Sequence, residues 1–227
     1  MFRTITVNCP ECGTAVEFKA VLSVNADRRP DLRAAIIGGS FQRQPCPSCG
    51  KAFRLDPEMT YVDIGRGQWI AAFPVYKLRQ WKEVEEQSRA TFAQAYGPQA
   101  PATAREIGAG MKPRVTFGWG GMREKLVAAD HQFDDVTLEL VKLAIVRTSE
   151  NLPLSNETEL RFINVEEDKL VMAWIRAQTE QVVEMLRVRR EIYFDVAAND
   201  EGWHSLREEL SAGLFVDMNR LLIATPA

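Results

Sequence analysis

Four cysteines carry the most sharply specified chemistry in this chain. They stand as Cys9-Pro10-Glu11-Cys12-Gly13 and Cys46-Pro47-Ser48-Cys49-Gly50, one five-residue device used twice. Two residues between the cysteines let a pair of thiolates converge on one cation, each sulfur about 2.3 Å from it. Proline after the first cysteine presets φ for a tight turn. Glycine after the second can take a positive φ, which lets backbone N–H groups turn toward the sulfurs. Together Cys9, Cys12, Cys46 and Cys49 supply the ligands of a closed tetrahedral zinc site with no cysteine left over. A closed site offers substrate no open position, so the expected Zn²⁺ is structural and its binding energy is folding energy. Thiol-redox chemistry is the competing reading of Cys-x-x-Cys. That chemistry calls for one copy where a strand meets a helix, whereas here each of two copies is followed by glycine and no helical pattern. The 33 residues between Cys12 and Cys46 exceed the span of a compact ribbon, so a strand and a helix are expected as an insertion between the knuckles.

The paired Cys-Pro-x-Cys motifs resemble the CpXC domain of bacteria and archaea. The similarity extends to Asn25 to Gly39 and to Tyr61-Val62-Asp63. More loosely it takes in Phe117-Gly118, Arg123-Glu124-Lys125 and Asp134-Asp135. It covers the first third of the chain well and the middle loosely, and no matching pattern is found in the final third. The resemblance implies the metal site and supplies no reaction.

Other constellations have plainer readings beside the chemical ones. Asp130, His131, Asp134 and Asp135 crowd into six residues and could form a second metal or acid–base site. The plainer expectation is that Asp134 caps the next helix, with Asp135 favoured in its first turn. Gly118-Trp119-Gly120-Gly121 precedes Arg123 and Lys125 and could cradle an anion at a helix start. It lacks the Gly-Lys-Ser/Thr ending of a phosphate loop, and a flexible junction is the expected role. His204 lies near Ser205 and Asp200 without the glycine-framed serine of a nucleophile elbow. No catalytic or cofactor-binding residue is therefore assigned. Arg28, Arg29, Arg33, Arg43, Lys51 and Arg54, with Phe41 and Phe53 between them, give the first segment a basic character compatible with nucleic acid. A four-thiolate zinc site carries −2, which cancels that segment's excess.

The elements that must position the cysteines are short. Thr4 to Val7 and Val16 to Val24 read as strands, Asp31 to Ile37 as a brief helix after Pro30, and Tyr61 to Ile64 with Trp69 to Phe73 as strands around Gly65-Arg66-Gly67. Lys77 to Tyr96 has helical spacing, and Gly97 to Gly121 is rich in Gly, Pro and Ala and reads as a linker. Helices are expected over Met122 to Ala129 and Asp134 to Arg147. Strands follow over Leu160 to Val165, Leu170 to Ile175 and Val182 to Val188, then helices near Glu191 to Ala198 and Gly202 to Leu210. The expected architecture is α+β: a β-rich, zinc-ribbon-like module over residues 1–76, a helical middle over 77–148, and an α+β part over 149–227.

Composition bounds the function. The 227 residues carry a net charge of −3, and the 46% hydrophobic content is that of an ordinary globular chain. Residues 1–75 hold nine Lys/Arg against seven Asp/Glu, and the remainder nineteen against twenty-four. This balance argues against a protein that coats itself on phosphates. No apolar run approaches the roughly 18 residues of a membrane span, and no export signal is visible, so the cysteines are expected to stay reduced in the cytoplasm. Two histidines leave little for acid–base work near neutral pH. The expected function is a zinc-binding protein-interaction or adaptor module whose partner is another protein or a second copy. Nucleic-acid binding is the alternative, and an enzyme or redox role ranks below both. Trp81, Trp119, Trp174 and Trp203 are expected mostly in the core, with one or two exposed as interface anchors.

Overall fold

A computed structural model describes residues 2–149, 152–153, 155 and 157–223. The chain begins with a hairpin, β1 (Phe2–Asn8) against β2 (Ala15–Val21), paired from Phe2↔Val21 to Asn8↔Ala15. Period-two alternation turns Val16, Phe18 and Ala20 of β2 inward. A second small hairpin, β4 (Arg43–Pro45) against β5 (Ala52–Arg54), carries the other knuckle at its tip. Between the hairpins lie β3 (Ser23–Asn25) and α1 (Pro30–Ile37), the expected insertion. Proline opens that helix, where its missing N–H costs nothing, and Gly38-Gly39 ends it with Gly39 at φ +73°.

β3 leaves the ribbon for a different sheet. It pairs in parallel with β6 (Met59–Asp63), which pairs antiparallel with β7 (Gln68–Phe73), which pairs in parallel with β8 (Lys112–Phe117). The four-stranded order β3-β6-β7-β8 therefore draws strands from both sides of residue 76. A 3₁₀ turn over Val75–Gln80 leads into α2 (Trp81–Tyr96), so the long helix starts four residues later than its periodicity suggests. The stretch 97–121 is not a linker: it holds α3 (Ala102–Ala109), β8 and the first turn of α4 (Gly118–Asp130). Its glycines serve close packing. A Cβ on Gly108 would lie 2.5 Å from Tyr96 Cβ, and one on Gly120 would lie 2.7 Å from Ile175 Cδ1.

α5 (Asp135–Thr148) lies beside the antiparallel sheet of β9 (Thr158–Glu166), β10 (Lys169–Arg176) and β11 (Val182–Arg189), ordered β11-β10-β9. α6 (Glu191–Ala198), α7 (Asp200–Ser211) and the single turn α8 (Asn219–Leu222) follow. The largest core joins α5, β9 and β10 through Leu138, Leu140, Phe162, Met172 and Trp174, each almost fully buried. Two further cores pack on opposite faces of the four-stranded sheet, one around Tyr61 and Ile70, the other around Trp69 and Phe117. The architecture is α+β, with the four cysteines gathered in the N-terminal region. No described helix is long and apolar enough to cross a membrane.

Candidate metal centre

Each knuckle is the loop that closes one hairpin. β1 and β2 end their pairing at Asn8↔Ala15, and the chain turns through Cys9 to Thr14; β4 and β5 end at Pro45↔Ala52, and it turns through Cys46 to Lys51. The two loops share one bond pattern. Cys9 N–H donates to Thr14 O at 2.9 Å and Gly13 N–H to Cys9 O at 2.9 Å; Cys46 N–H donates to Lys51 O and Gly50 N–H to Cys46 O, both also at 2.9 Å. Gly13 and Gly50 sit at φ +71° and +73° with open space where a Cβ would be, so the requirement for glycine is conformational rather than steric. Ser48 N–H points at Cys46 Sγ from 3.4 Å. Gln44 Nε2 donates to Glu17 O, and Lys51 pairs with Glu11, which ties the two hairpins side by side.

The sulfurs converge. Cys12 Sγ lies 3.7 Å from Cys46 Sγ, and Cys9 Sγ lies 3.8 Å from Cys49 Sγ. All four fall within 4.8 Å of one another, and none is in a disulfide. A regular tetrahedron with metal–sulfur bonds of about 2.3 Å has edges of about 3.8 Å. The cross-hairpin separations match that edge, so these four thiols could hold a metal ion. The proton affinities of Cys12 and Cys49 have moved in opposite directions. The Thr14 hydroxyl and amide hold Cys12 down to about 6. The Lys51 amide favours the Cys49 thiolate, but burial and the other three thiols outweigh it and push Cys49 up to about 11. A cation at the centre removes this competition by favouring every thiolate.

The ribbon is bolted to the body by one residue of β5. Arg54 stacks over the Trp119 ring at 4.0 Å, donates to Phe41 O, and pairs with Glu180 at 2.6 Å. Trp119 Nε1 returns a bond to Leu55 O at 2.9 Å. Gly118-Trp119-Gly120-Gly121 is thus the buried opening of α4 and not a flexible junction. Other members of the basic set are also committed: Arg29 pairs with Asp31, Arg33 with Asp63 and Asp130, and Lys51 with Glu11.

The weaker constellations resolve into structure. Asp134 caps α5, accepting from Thr137 N–H at 2.9 Å. Asp135 forms a two-bond pair with Arg114 and also meets Lys125. Both border an open depression of about 490 Å³ with Gln68 and Phe133, but His131 does not; its Nε2 bonds Asn164 instead. His204 pairs with Glu208, and Asp200 with Arg207, so no Ser205-centred triad forms. Trp119 and Trp174 are buried, and Trp81 and Trp203 are half-buried under Arg220 and Arg147, so none of the four stands out as an exposed anchor.

Sequence reasoning missed a second cluster. Glu124 and Lys125 of α4, Glu139 and Lys142 of α5, Arg161 of β9 and Asp217 near the C-terminus meet in the interior. Lys142 Nζ lies 3.0 Å from both Glu124 oxygens and 2.7 Å from Glu139, while Arg161 reaches Glu124, Glu159 and Asp217. The trio Glu124, Glu139 and Asp217 is close enough for a cation, but the Lys142 ammonium and the Arg161 guanidinium already fill that role. In α5, Asp135, Glu139 and Lys142 fall together on one side of the helix, which is also how a solvated face is written, so their burial and pairing carried no signal of their own.

A family model described as CpXC protein matches residues 7–142. No curated protein and no solved structure matches the chain.

Proposed function

The chain belongs to the CpXC family, and from that premise and the closed four-thiol cluster we propose a zinc-organised protein-interaction module with a structural metal. Four thiolates form the soft donor set that suits zinc, and they leave no coordination position for a substrate. The observation that carries the reading is the position of the cluster. It sits at the tips of two hairpins whose own buried core is little more than Val16, Phe18 and two of the cysteines. Metal binding would supply the folding energy such a core lacks. Ile5 and Val7 of β1 and Phe53 of the second hairpin line a groove of about 790 Å³ together with Tyr76 and Trp119. The metal therefore holds a recognition surface in shape rather than acting on a ligand. Thiols kept reduced for this purpose suit the cytoplasm.

Two measurements test the reading. Metal analysis of purified protein should return about one zinc per chain, falling to a small fraction in Cys46→Ala. Affinity capture from the native host with wild type and Cys46→Ala should recover a protein that only the metal-loaded chain retains. A metal-free native chain with an intramolecular disulfide would overturn the zinc assignment. Recovery of structure-selective nucleic acid at physiological salt would overturn the protein-binding one.

A further inference from the structure

The groove beside the ribbon has a charged end that its apolar lining does not explain. Arg54 lines it with a side chain only 6% exposed, and Nη2 of the guanidinium is buried without a hydrogen-bond partner. The other donors are used: Nε bonds Phe41 O, and Nη1 pairs with Glu180 at 2.6 Å. Arg123 of α4 takes the second oxygen of Glu180. One carboxylate thus serves two guanidiniums, and Arg43 adds a third cation with no carboxylate of its own among the described residues. Burial of Arg54, with Arg123 and Arg43 beside it, outweighs the attraction of Glu180 and lowers the guanidinium's pKa, so the cluster is short of negative charge. Two further acids line the groove. Glu58 is held by Lys77 at 2.6 Å, and Asp56 is matched by Arg3, equally unpaired among the described residues.

Glu180 shows what the cluster accepts. Each of its oxygens meets one guanidinium, a two-point match to a planar carboxylate. It comes from the turn between β10 and β11 at φ +58°, a conformation that glycine or asparagine adopts at less cost, so the position carries a side chain where the backbone favours none. Its neighbours Gln178 and Thr179 are exposed, and residues 177–181 belong to none of the described apolar cores. The carboxylate can therefore swing out without unpacking the protein. We propose that Glu180 is a placeholder, and that the groove takes an extended peptide of a partner protein whose aspartate or glutamate replaces it between Arg54 and Arg123. The inference rests on the groove being the protein-recognition surface proposed above.

The rest of the groove selects the neighbours of that acid. Glu180 is tethered, so its effective concentration exceeds that of a free acid. An incoming carboxylate exchanges for it and gains little beyond the open Nη2 of Arg54. Net affinity has to come from apolar contact. Ile5 and Val7 are half-buried and Tyr76 is 71% exposed, which leaves apolar surface for side chains on either side of the acid to cover.

The test selects random dodecapeptides displayed on phage against the full-length wild type and Glu180→Gln at physiological salt. Enriched sequences are then made with capped ends and titrated by calorimetry. They should carry Asp or Glu beside apolar residues, and Glu180→Gln should bind them several-fold more tightly than the wild type. Changing the peptide's acid to its amide should weaken binding to Glu180→Gln by about tenfold or more and erase the difference between the two proteins. Glu180→Asp, which keeps the charge and shortens the reach, should also tighten the acidic peptides, and it decides the matter if the glutamine variant fails to fold. Tyr76→Ala should weaken every enriched peptide. An acid whose amide binds equally well, or enriched peptides with no acid, would overturn the carboxylate site and leave the protein-recognition groove standing. Peptides that Tyr76→Ala binds unchanged, or no enriched peptide at all, would overturn both. Displacement of the peptides by a mixed-sequence oligonucleotide at physiological salt would overturn the choice of partner.

Discussion

Glu139 holds its proton in the folded protein up to a far higher pH than an ordinary carboxyl. Burial and the neighbouring Glu124 charge outweigh the attraction of Lys142 and Lys125 and raise its pKa from 4.5 to about 7. Charge balance explains why one acid in this cluster must yield. Glu124, Asp135, Glu139, Glu159 and Asp217 face only Arg114, Lys125, Lys142 and Arg161. Between pH 4.5 and about 7 the folded state binds a proton at Glu139 that the unfolded chain has released, so stability falls as pH rises through that window. Asp135 and Asp217 work the other way. Despite burial, their cationic partners hold them well below the usual range, so their stabilisation is lost as pH drops into the acid range. The unfolding free energy from denaturant titrations should therefore peak near pH 5 and decline by about 1–3 kcal/mol toward pH 8. Glu139→Gln keeps an acceptor for Met218 N–H and should flatten that decline. Lys142→Met strands Glu124 and Glu139 in the interior and should cost about 3–5 kcal/mol at neutral pH, measured by the same unfolding curves.

α4 is the element that joins the parts of the molecule. Its first turn takes the ribbon's Leu55 carbonyl through Trp119, its middle sends Glu124 to the β9 edge, and its end leaves Asp130 to pair with Arg33 of α1. Such contact on every side explains the glycines at its start, because β9 and β10 lie against Gly120. Gly120→Ala should lower stability by about 1–3 kcal/mol even though alanine favours helix, since the added methyl must displace Glu159 and Ile175. Limited proteolysis of the native protein should spare residues 97–121, for the same reason: Val115 and Phe117 are core residues, and β8 is paired along its whole length with β7. Early cleavage in that stretch would show that the sheet edge frays and would contradict this packing.

In the whole molecule, the cysteine cluster and the bodies of the sheets have separate apolar cores. The cysteine cluster packs with Val16 and Phe18, while the four-stranded sheet packs on Tyr61, Ile70, Trp69 and Phe117. Chelation should accordingly loosen the ribbon alone. Hydrogen exchange is expected to speed across residues 2–21 and 43–55 and to stay slow across 59–73 and 112–117. A segment after α7 locks the body from the other end. Segment 214–218 has almost no regular structure, yet Val115 N–H donates to Leu214 O, Lys125 to Val216 O, and Asp217 pairs with Arg161. Phe215 N–H adds a bond to the buried Glu85 of α2. Uniform exchange acceleration on chelation would mean that the metal holds the entire chain together.

Local physics made much of this protein legible in its sequence. The matched Cys-Pro-x-Cys-Gly knuckles specify their own turns through proline and glycine, so a single cluster of the four cysteines, able to hold a metal ion, could be read without any fold. Strands β9 to β11 and helices α1 and α5 follow from signals within single segments: apolar runs around a turn, Pro30 and Gly38-Gly39 at the ends of α1, and helical spacing in α5. What escaped depends on neighbours distant in sequence. The Gly/Pro-rich stretch 97–121 resembles a linker because small residues have two uses, flexibility and close approach, and only the packing of α4 on β9 and β10 shows which applies. The charges of α4 and α5 resemble a solvated helix face until Arg161 and Asp217, 56 residues apart, are brought to them. Ionic partners of that kind have no periodicity to read, and only the tertiary structure decides them.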